Sequence, residues 1–490
     1  MMPARSSGPV WQRGVWLPIL LLIVTLLVRA QTFGNPVIEF DEQFYRVMGE
    51  RMLHGAVPYI DIWDRKPLGL FLIYALAAMI GGEHALAYQL MAVLFVTFTA
   101  WTIHAMARRL CVGWRGPLLA AILYILWLNL LQGEGGQASV FYALPVCGAA
   151  LLALRQAAGE RPANTLLRDG ALAMLLLGLA AQIKYTVVLE GGYFGLILLF
   201  AGWQRRLGLA KLAGFAFIWI VLVILPTLFA WAPYAMIGYG KEWVFANFTS
   251  ILLRDPMPLD DMLSDLAGGI ATIILLLIAA ILGWRRVEPR GGAAWFVLGW
   301  AVIGLLALFA MRSFVPHYWI PIVPALALLA APALDRMRRF AICLTIIAAL
   351  VGQFLVGFFI YSKGDGRTVD HLATAIGPTP NCLFVFDGFP ALYQEIDTCL
   401  PGRFLFPGHL NGIMEARSLG IDPVAEVERI MAARPDAVVL DKPRWNLHNK
   451  QTAAVVDREL AAHYTLALTE PTGKGRWRLV YRVKPQDAGH

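Results

Sequence analysis

The sequence predicts a polytopic α-helical membrane protein, with about eleven spans plus interfacial helices, that carries a small soluble α/β domain at its C-terminal end. Three observations predict it. Hydrophobic residues make up 58% of the chain and charged residues only 15%, with a mean hydropathy of +0.62, far from the averages of soluble proteins. The apolar residues gather into runs that approach or exceed the length needed to cross about 30 Å of hydrocarbon. That character stops near residue 361, so the chain divides into a membrane part, 1–361, and a C-terminal domain, 362–490.

Eleven apolar runs lie near 15–30, 85–107, 116–132, 139–157, 166–183, 186–202, 210–231, 266–284, 293–311, 317–334 and 340–361. No small-residue cleavage site follows the first, which reads as a span and not as a signal peptide. Orientation follows from Lys and Arg, which concentrate in cytoplasmic loops. With Arg5 and Arg13 inside, alternating loops carry Arg108, Arg109 and Arg115, then Arg155, Arg161 and Arg168, then Arg205, Arg206 and Lys211. Arg285, Arg286 and Arg290, then Arg336, Arg338 and Arg339, bring the inside total to seventeen. The opposite loops carry eight: Arg46, Arg51, Arg65, Lys66, Lys184, Lys241, Arg254 and Arg312. Residues 67–82 are apolar but short, and counting them as a span would invert every later loop, so they read as an interfacial or re-entrant helix. Eleven spans then export the C-terminal domain, to the periplasm if the cell is Gram-negative, with the chain in the inner (cytoplasmic) membrane.

The net charge of +8 comes mainly from those Arg clusters, which face anionic lipid headgroups; it marks topology and not nucleic-acid binding. Cys111, Cys147 and Cys343 lie in or beside spans. Cys382 and Cys399 lie in the exported domain, where an oxidising compartment favours their pairing. In that domain the β-rich runs Leu383 to Phe386, Ala437 to Leu440 and Arg476 to Arg482 alternate with helical stretches Val424 to Ala433 and Thr452 to His463, the pattern of an α/β layer. It contains no G-x-G-x-x-G, Walker or metal-spaced Cys/His motif, and reads equally as a binding module or a structural cap.

Two exported loops concentrate polar residues. In the first, residues 31–84, Phe44, Val47, Met48 and Met52 recur at the spacing of one helical face, which predicts an amphipathic helix lying on the membrane. The second, 232–265, holds Lys241, Arg254, Asp260, Asp261 and Asp265 and predicts another interfacial helix. Asp41 and Glu42 open the first helix. A carboxylate there is a candidate general base for an acceptor hydroxyl or a metal ligand, and equally an ordinary Asp N-cap. Arg65 and Lys66, in Asp64-Arg65-Lys66-Pro67, place two cations where the chain re-enters the interface; they suit a lipid-borne phosphate, or simply snorkel to the headgroups.

The segments FDEQFYRVMGERML and YIDIWDRKPLGLFLIYAL resemble the first exported loop of the glycosyltransferase C superfamily, in the group containing protein O-mannosyltransferases and the aminoarabinose transferase of lipid A. The matching features are the acidic pair Asp41-Glu42, then Tyr45, then Lys66-Pro67. LLQGEGGQASVFYALPV, LGLAAQIKYTVV and RSFVPHYWIPIVPALALLAAPAL extend the likeness over roughly residues 15–361. The resemblance implies an inverting glycosyltransferase that moves a sugar from a polyprenyl-phosphate-linked donor to a lipid, glycan or protein acceptor at the outer face of the membrane. It makes Asp41 the catalytic base and Lys66 the ligand of the donor phosphate, with Lys184 helping to hold it and His317 and Tyr318 lining the same cavity. Arg65 stands where relatives often have Glu, and Leu68 where they have a second proline. Gln137 aligns with an acidic position, with Glu134 three residues earlier, so the cofactor, including any divalent metal ion, is left open. The alternative, a transporter or flippase of lipid-linked sugars, calls for internal repeats or charges at mid-membrane. No convincing repeat is visible, and Asp41, Lys66, Glu134, Lys184 and His317 all map to the outer face.

Overall fold

A computed structural model describes residues 15–82, 84–287, 290–396, 398–473 and 475–485. Arg5 and Arg13 lie outside the described residues. All eleven apolar runs fold as helices. Nine of them, among the described residues, are long and apolar enough to cross a bilayer, while the first and third give the shorter Trp16–Thr32 and Arg115–Leu130. Residues Leu68–Gly81, expected to be interfacial, form a third short apolar helix. The eleven runs counted from hydropathy therefore resolve, among the described residues, into nine full-length helices and two shorter ones, with Leu68–Gly81 outside that count.

The chain divides into two compact units: Met1–Gln31, Leu90–Ala230 and Pro258–Val356 form the first, and Thr32–Gln89, Trp231–Met257 and Gly357–His490 the second. The first unit is built around Pro316–Arg336, the most buried of the long helices, whose run of alanines leaves room for close neighbours. Leu259–Trp284 and Arg115–Leu130 pack on it. The approach is so tight at Gly283 that a Cβ would stand 1.9 Å from the Leu329 carbonyl oxygen, which only glycine permits. At the end of the central helix Asp335 accepts the backbone N–H groups of Gly113, at 2.7 Å, and Gly116, at 3.1 Å, satisfying donors at the start of a neighbouring helix.

In the second unit the helix Phe40–Leu53 packs on Leu68–Gly81, touching at Gly49, where a Cβ would meet the Ala75 backbone nitrogen at 2.6 Å. The helix does not lie with one face in lipid as its periodicity predicts. Glu42 through Glu50 are all buried, because the C-terminal domain covers the polar side: Arg46 pairs with Glu395, and Arg51 donates to the carbonyls of Tyr393 at 3.0 Å and Thr398 at 3.3 Å. Gly240–Val244 and Ser250–Leu252, joined by one π-helical turn, supply the helix expected in the second loop. Asp260, Asp261 and Asp265 belong to the Leu259–Trp284 helix and not to that loop.

The C-terminal domain carries a four-stranded sheet, β1 (Leu383–Val385), β2 (Ala437–Lys442), β3 (Tyr464–Pro471) and β4 (Trp477–Val483), in the order β1-β2-β4-β3. β1 and β2 run parallel with Leu383 opposite Ala437, as a crossover through the helix Pro423–Ala432 requires. β4 is antiparallel to both β2 and β3. Three helices are capped by local chemistry: Asp365 with Thr368 makes a capping box, Asp422 accepts from Val424, and Asn449 accepts from Gln451 and Thr452. β3, which the sequence pattern did not suggest, pairs among the described residues only with β4, and most of its residues are exposed, so no apolar run marks it. Cys382 and Cys399 form a disulfide with their Cα atoms 4.7 Å apart.

Candidate active site

The sequence-derived site residues fall into two groups, one in each unit. Asp41, Glu42, Tyr45, Arg65 and Lys66 belong to the second unit, and Glu134, Lys184, His317 and Tyr318 to the first.

Asp41 is the second residue of its helix and not its cap. The cap position is Glu39, which makes no capping bond and pairs instead with Lys363. Asp41 favours the helix dipole from the first turn, and it stays half-exposed where the nine residues after it are buried. Glu42 lies beside Arg46 and Tyr88. Tyr45 is buried in an aromatic cluster with Phe71, at 6.1 Å, and Tyr74, at 5.5 Å, and the Lys66 ammonium stands 5.5 Å over its ring.

Lys66 sits in a loop that bonds to itself. Val57 donates to the Asp61 carboxylate at 2.7 Å, Tyr59 closes on the Ile62 carbonyl at 2.7 Å, and the Tyr59 hydroxyl donates to the Lys66 carbonyl at 2.9 Å. Trp63 is buried against His409, with ring centres 4.8 Å apart, and Phe404, at 5.5 Å. Arg65 turns to Glu415 and donates to the Ser418 hydroxyl at 2.9 Å.

The charges of Asp41 and Lys66 both act on Asp64 and on His409, which places the four groups in one electrostatic neighbourhood. Burial pushes the Asp64 carboxyl up, against the pull of Lys66 and Arg65. Burial drives His409 down to about 3, and Arg65 and Lys66 act the same way, so this imidazole is neutral at physiological pH. Burial alone would raise Glu415, but Arg65 and Arg254 overrule it and hold the carboxyl at about 2. A half-exposed carboxylate near a fixed cation suits two tasks, taking a proton from a hydroxyl and meeting an anion.

In the first unit, Arg29 reaches from the end of the first helix to the carbonyls of Gly133, at 2.8 Å, and Gly135, and so holds the loop bearing the buried Glu134. Lys184 immediately precedes the short turn Tyr185–Val187 and lies 3.9 Å over the Tyr318 ring, which His317 meets edge-on at 4.8 Å. Glu190, in the first turn of the next helix, is buried with one carboxylate oxygen that accepts no hydrogen bond among the described residues, and Lys184 acts on it electrostatically. Sequence reasoning passed over Arg29, Asp64, Glu190, His409 and Glu415. The first two carried a signal, a lone Arg closing an apolar run and an acid two residues from Lys66. Among the described residues no group of three or more His, Cys, Asp or Glu is gathered to hold a metal ion, and no chemical step is assigned to one.

No protein-family model matches the chain. It is 27% identical over 327 residues to the undecaprenyl phosphate-alpha-4-amino-4-deoxy-L-arabinose arabinosyl transferase of Edwardsiella ictaluri (strain 93-146), a stretch covering 62% of this chain and 56% of that protein. The match thus spans little more than half the length of that relative. Among solved structures, ArnT from Cupriavidus metallidurans bound to undecaprenyl phosphate superposes with a TM-score of 0.66 at 14% identity, over 96% of this chain and 98% of that one. Its apo form gives 0.65 at 14%, over 94% and 97%. From the first helix to the C-terminal sheet, this multi-pass membrane protein has the fold of ArnT.

Proposed function

We propose that this protein is an inverting glycosyltransferase that moves a sugar from a polyprenyl-phosphate-linked donor to an acceptor hydroxyl at the outer face of the inner membrane. The observation that carries it is the ArnT fold over 96% of the chain, together with a half-exposed Asp41 in the electrostatic neighbourhood of Lys66. The orientation rests on the seventeen basic residues assigned to inside loops against eight opposite, with the C-terminal domain outside.

In this mechanism Asp41 takes the proton of the acceptor hydroxyl. The acceptor oxygen then bonds to the anomeric carbon from the face opposite the phosphate as the carbon–phosphate oxygen bond breaks, which inverts the centre through an oxocarbenium-like transition state. Polyprenyl phosphate leaves as an anion toward Lys66, whose fixed charge lowers the barrier. Glu42 and Tyr45 shape the wall on which Lys66 rests. The acceptor is a lipid, glycan or protein.

The test is a transfer assay with an undecaprenyl-phosphate-linked sugar, beside direct binding of undecaprenyl phosphate. Lys66→Ala weakens that binding about tenfold or more and lowers turnover, because the same charge meets the leaving phosphate. Unchanged binding in Lys66→Ala contradicts the assignment. Orientation is checked separately: a thiol introduced by Arg458→Cys reacts with a membrane-impermeant reagent in intact cells, whereas one introduced by Arg206→Cys does not.

A further inference from the structure

The geometry points to Glu415 as a positioning residue for Lys66, which makes the C-terminal domain part of the donor site and not a cap; the inference rests on Lys66 being the phosphate ligand. Glu415 is buried and binds two arginines from distant segments. One carboxylate oxygen pairs with Arg65, and the other lies 2.8 Å from the Arg254 Nε. Ser418 ties the knot, standing 2.9 Å from the Arg65 guanidinium and 2.9 Å from the Glu415 carboxylate. The backbone reinforces both ends: Trp63 donates its N–H to the Arg403 carbonyl at 2.8 Å, and Asp255 donates to the Met414 carbonyl at 3.0 Å.

Lys66 is the next residue after Arg65. Its carbonyl is held by Tyr59, and Pro67, with φ fixed at −62°, starts the helix that follows. The lysine is thus fastened from both sides, and its preceding anchor is a carboxylate in another part of the chain. The same contact explains the Arg at position 65. It faces away from the lysine's task and is neutralised by Glu415, so the loop presents one cation to a phosphate instead of two competing ones. Removing Glu415 takes away the carboxylate that Arg65 and Arg254 share, and the loop must shift to separate the two cations. A lysine moved away from the phosphate loses attraction, which falls with distance and with the water that enters between them.

The experiment measures binding of undecaprenyl phosphate to the full-length protein in lipid nanodiscs. Glu415→Gln weakens it tenfold or more. In a Lys66→Ala background the same change adds less than threefold, because Glu415 acts through the lysine. Exchanging the charges, Arg65→Glu with Glu415→Arg, in a chain that also carries Arg254→Met restores one ion pair at this contact with no like charge beside it and recovers binding to within threefold of wild type, though Arg65→Glu and Glu415→Arg alone do not. If Glu415→Gln fails to fold, the exchange tests the same contact by itself. Unchanged binding in Glu415→Gln, an equal loss with and without Lys66, or an exchange that recovers nothing overturns the inference while leaving Lys66 as the ligand. A wild-type chain that does not bind undecaprenyl phosphate overturns the function itself, and the inference with it.

Discussion

In the first unit, charged side chains near the candidate site are held by carbonyls and rings: Arg29 by Gly133 and Gly135, Lys184 by the face of Tyr318. In the second, ion pairs are added to such contacts: Glu39 with Lys363, Arg46 with Glu395, and Arg65 and Arg254 with Glu415. The difference follows from surroundings. Long apolar helices offer few counter-charges, so a cation there must use backbone oxygens or π faces. Loops covered by a soluble domain can meet its carboxylates. The first arrangement fixes a residue through its own neighbourhood, and the second makes it depend on a distant part of the chain.

The largest effect expected is on the half-exposed carboxylate of the second unit. Asp41→Asn keeps the shape of the side chain and removes the base, so turnover in the transfer assay falls about a hundredfold or more with protein yield unchanged. Near-normal turnover would reduce Asp41 to a helix-dipole partner. Next comes the anchor of the first unit. Arg29→Met leaves two buried carbonyls without donors and lowers stability by about 2–4 kcal/mol, seen as an earlier thermal midpoint of the purified chain. An unchanged midpoint would mean that the Glu134 loop holds itself.

Breaking the Cys382–Cys399 disulfide, with Cys382→Ser and Cys399→Ser together, releases a loop of sequence separation 17 and costs about 3 kcal/mol. It leaves undecaprenyl phosphate binding within about twofold, since no ion pair of the Lys66 loop involves it. A large loss of binding would show that the domain's whole shape, and not the Glu415 contact, supports the site. The most gradual effect is a pH dependence. Burial, opposed by Arg478 2.8 Å away and helped by Asp387, pushes Asp441 up to about 7. A carboxyl raised in the native state stabilises the protonated form, so its contribution is complete below about pH 4, the unfolded value, and is lost as pH rises toward 7. Thermal midpoints should fall across that window, and Asp441→Asn should flatten the fall. Glu415, held at about 2, has the opposite sign, contributing above about pH 4.5 and failing only in strong acid.

Much of the first unit was legible in the sequence because a membrane helix announces itself locally: each of the eleven apolar runs is a helix. Lys66, Asp41 and Tyr45 were singled out for a different reason, a resemblance carried by some two dozen residues, and their roles stand as the proposal above. What lay hidden was long-range pairing. Arg46 and Glu395 are 349 residues apart, and Arg65 and Glu415 are 350 apart; no spacing in either segment hints at the other. The helix Phe40–Leu53 shows the cost most plainly. Its apolar face at Phe44, Val47 and Met48 suggested a lipid surface, but Phe44 packs on Phe406, 5.7 Å away, and the polar face meets Glu395 and Tyr393. Periodicity reports that a face is buried and is silent about what buries it.

The central claim is most directly tested by solving the structure of the full-length chain with undecaprenyl phosphate bound. The account predicts the phosphate within hydrogen-bonding distance of the Lys66 ammonium, Asp41 facing the position of the anomeric carbon, and Arg65 still paired with Glu415. A phosphate seated away from Lys66, for example on the Arg205-Arg206 loop, would contradict it.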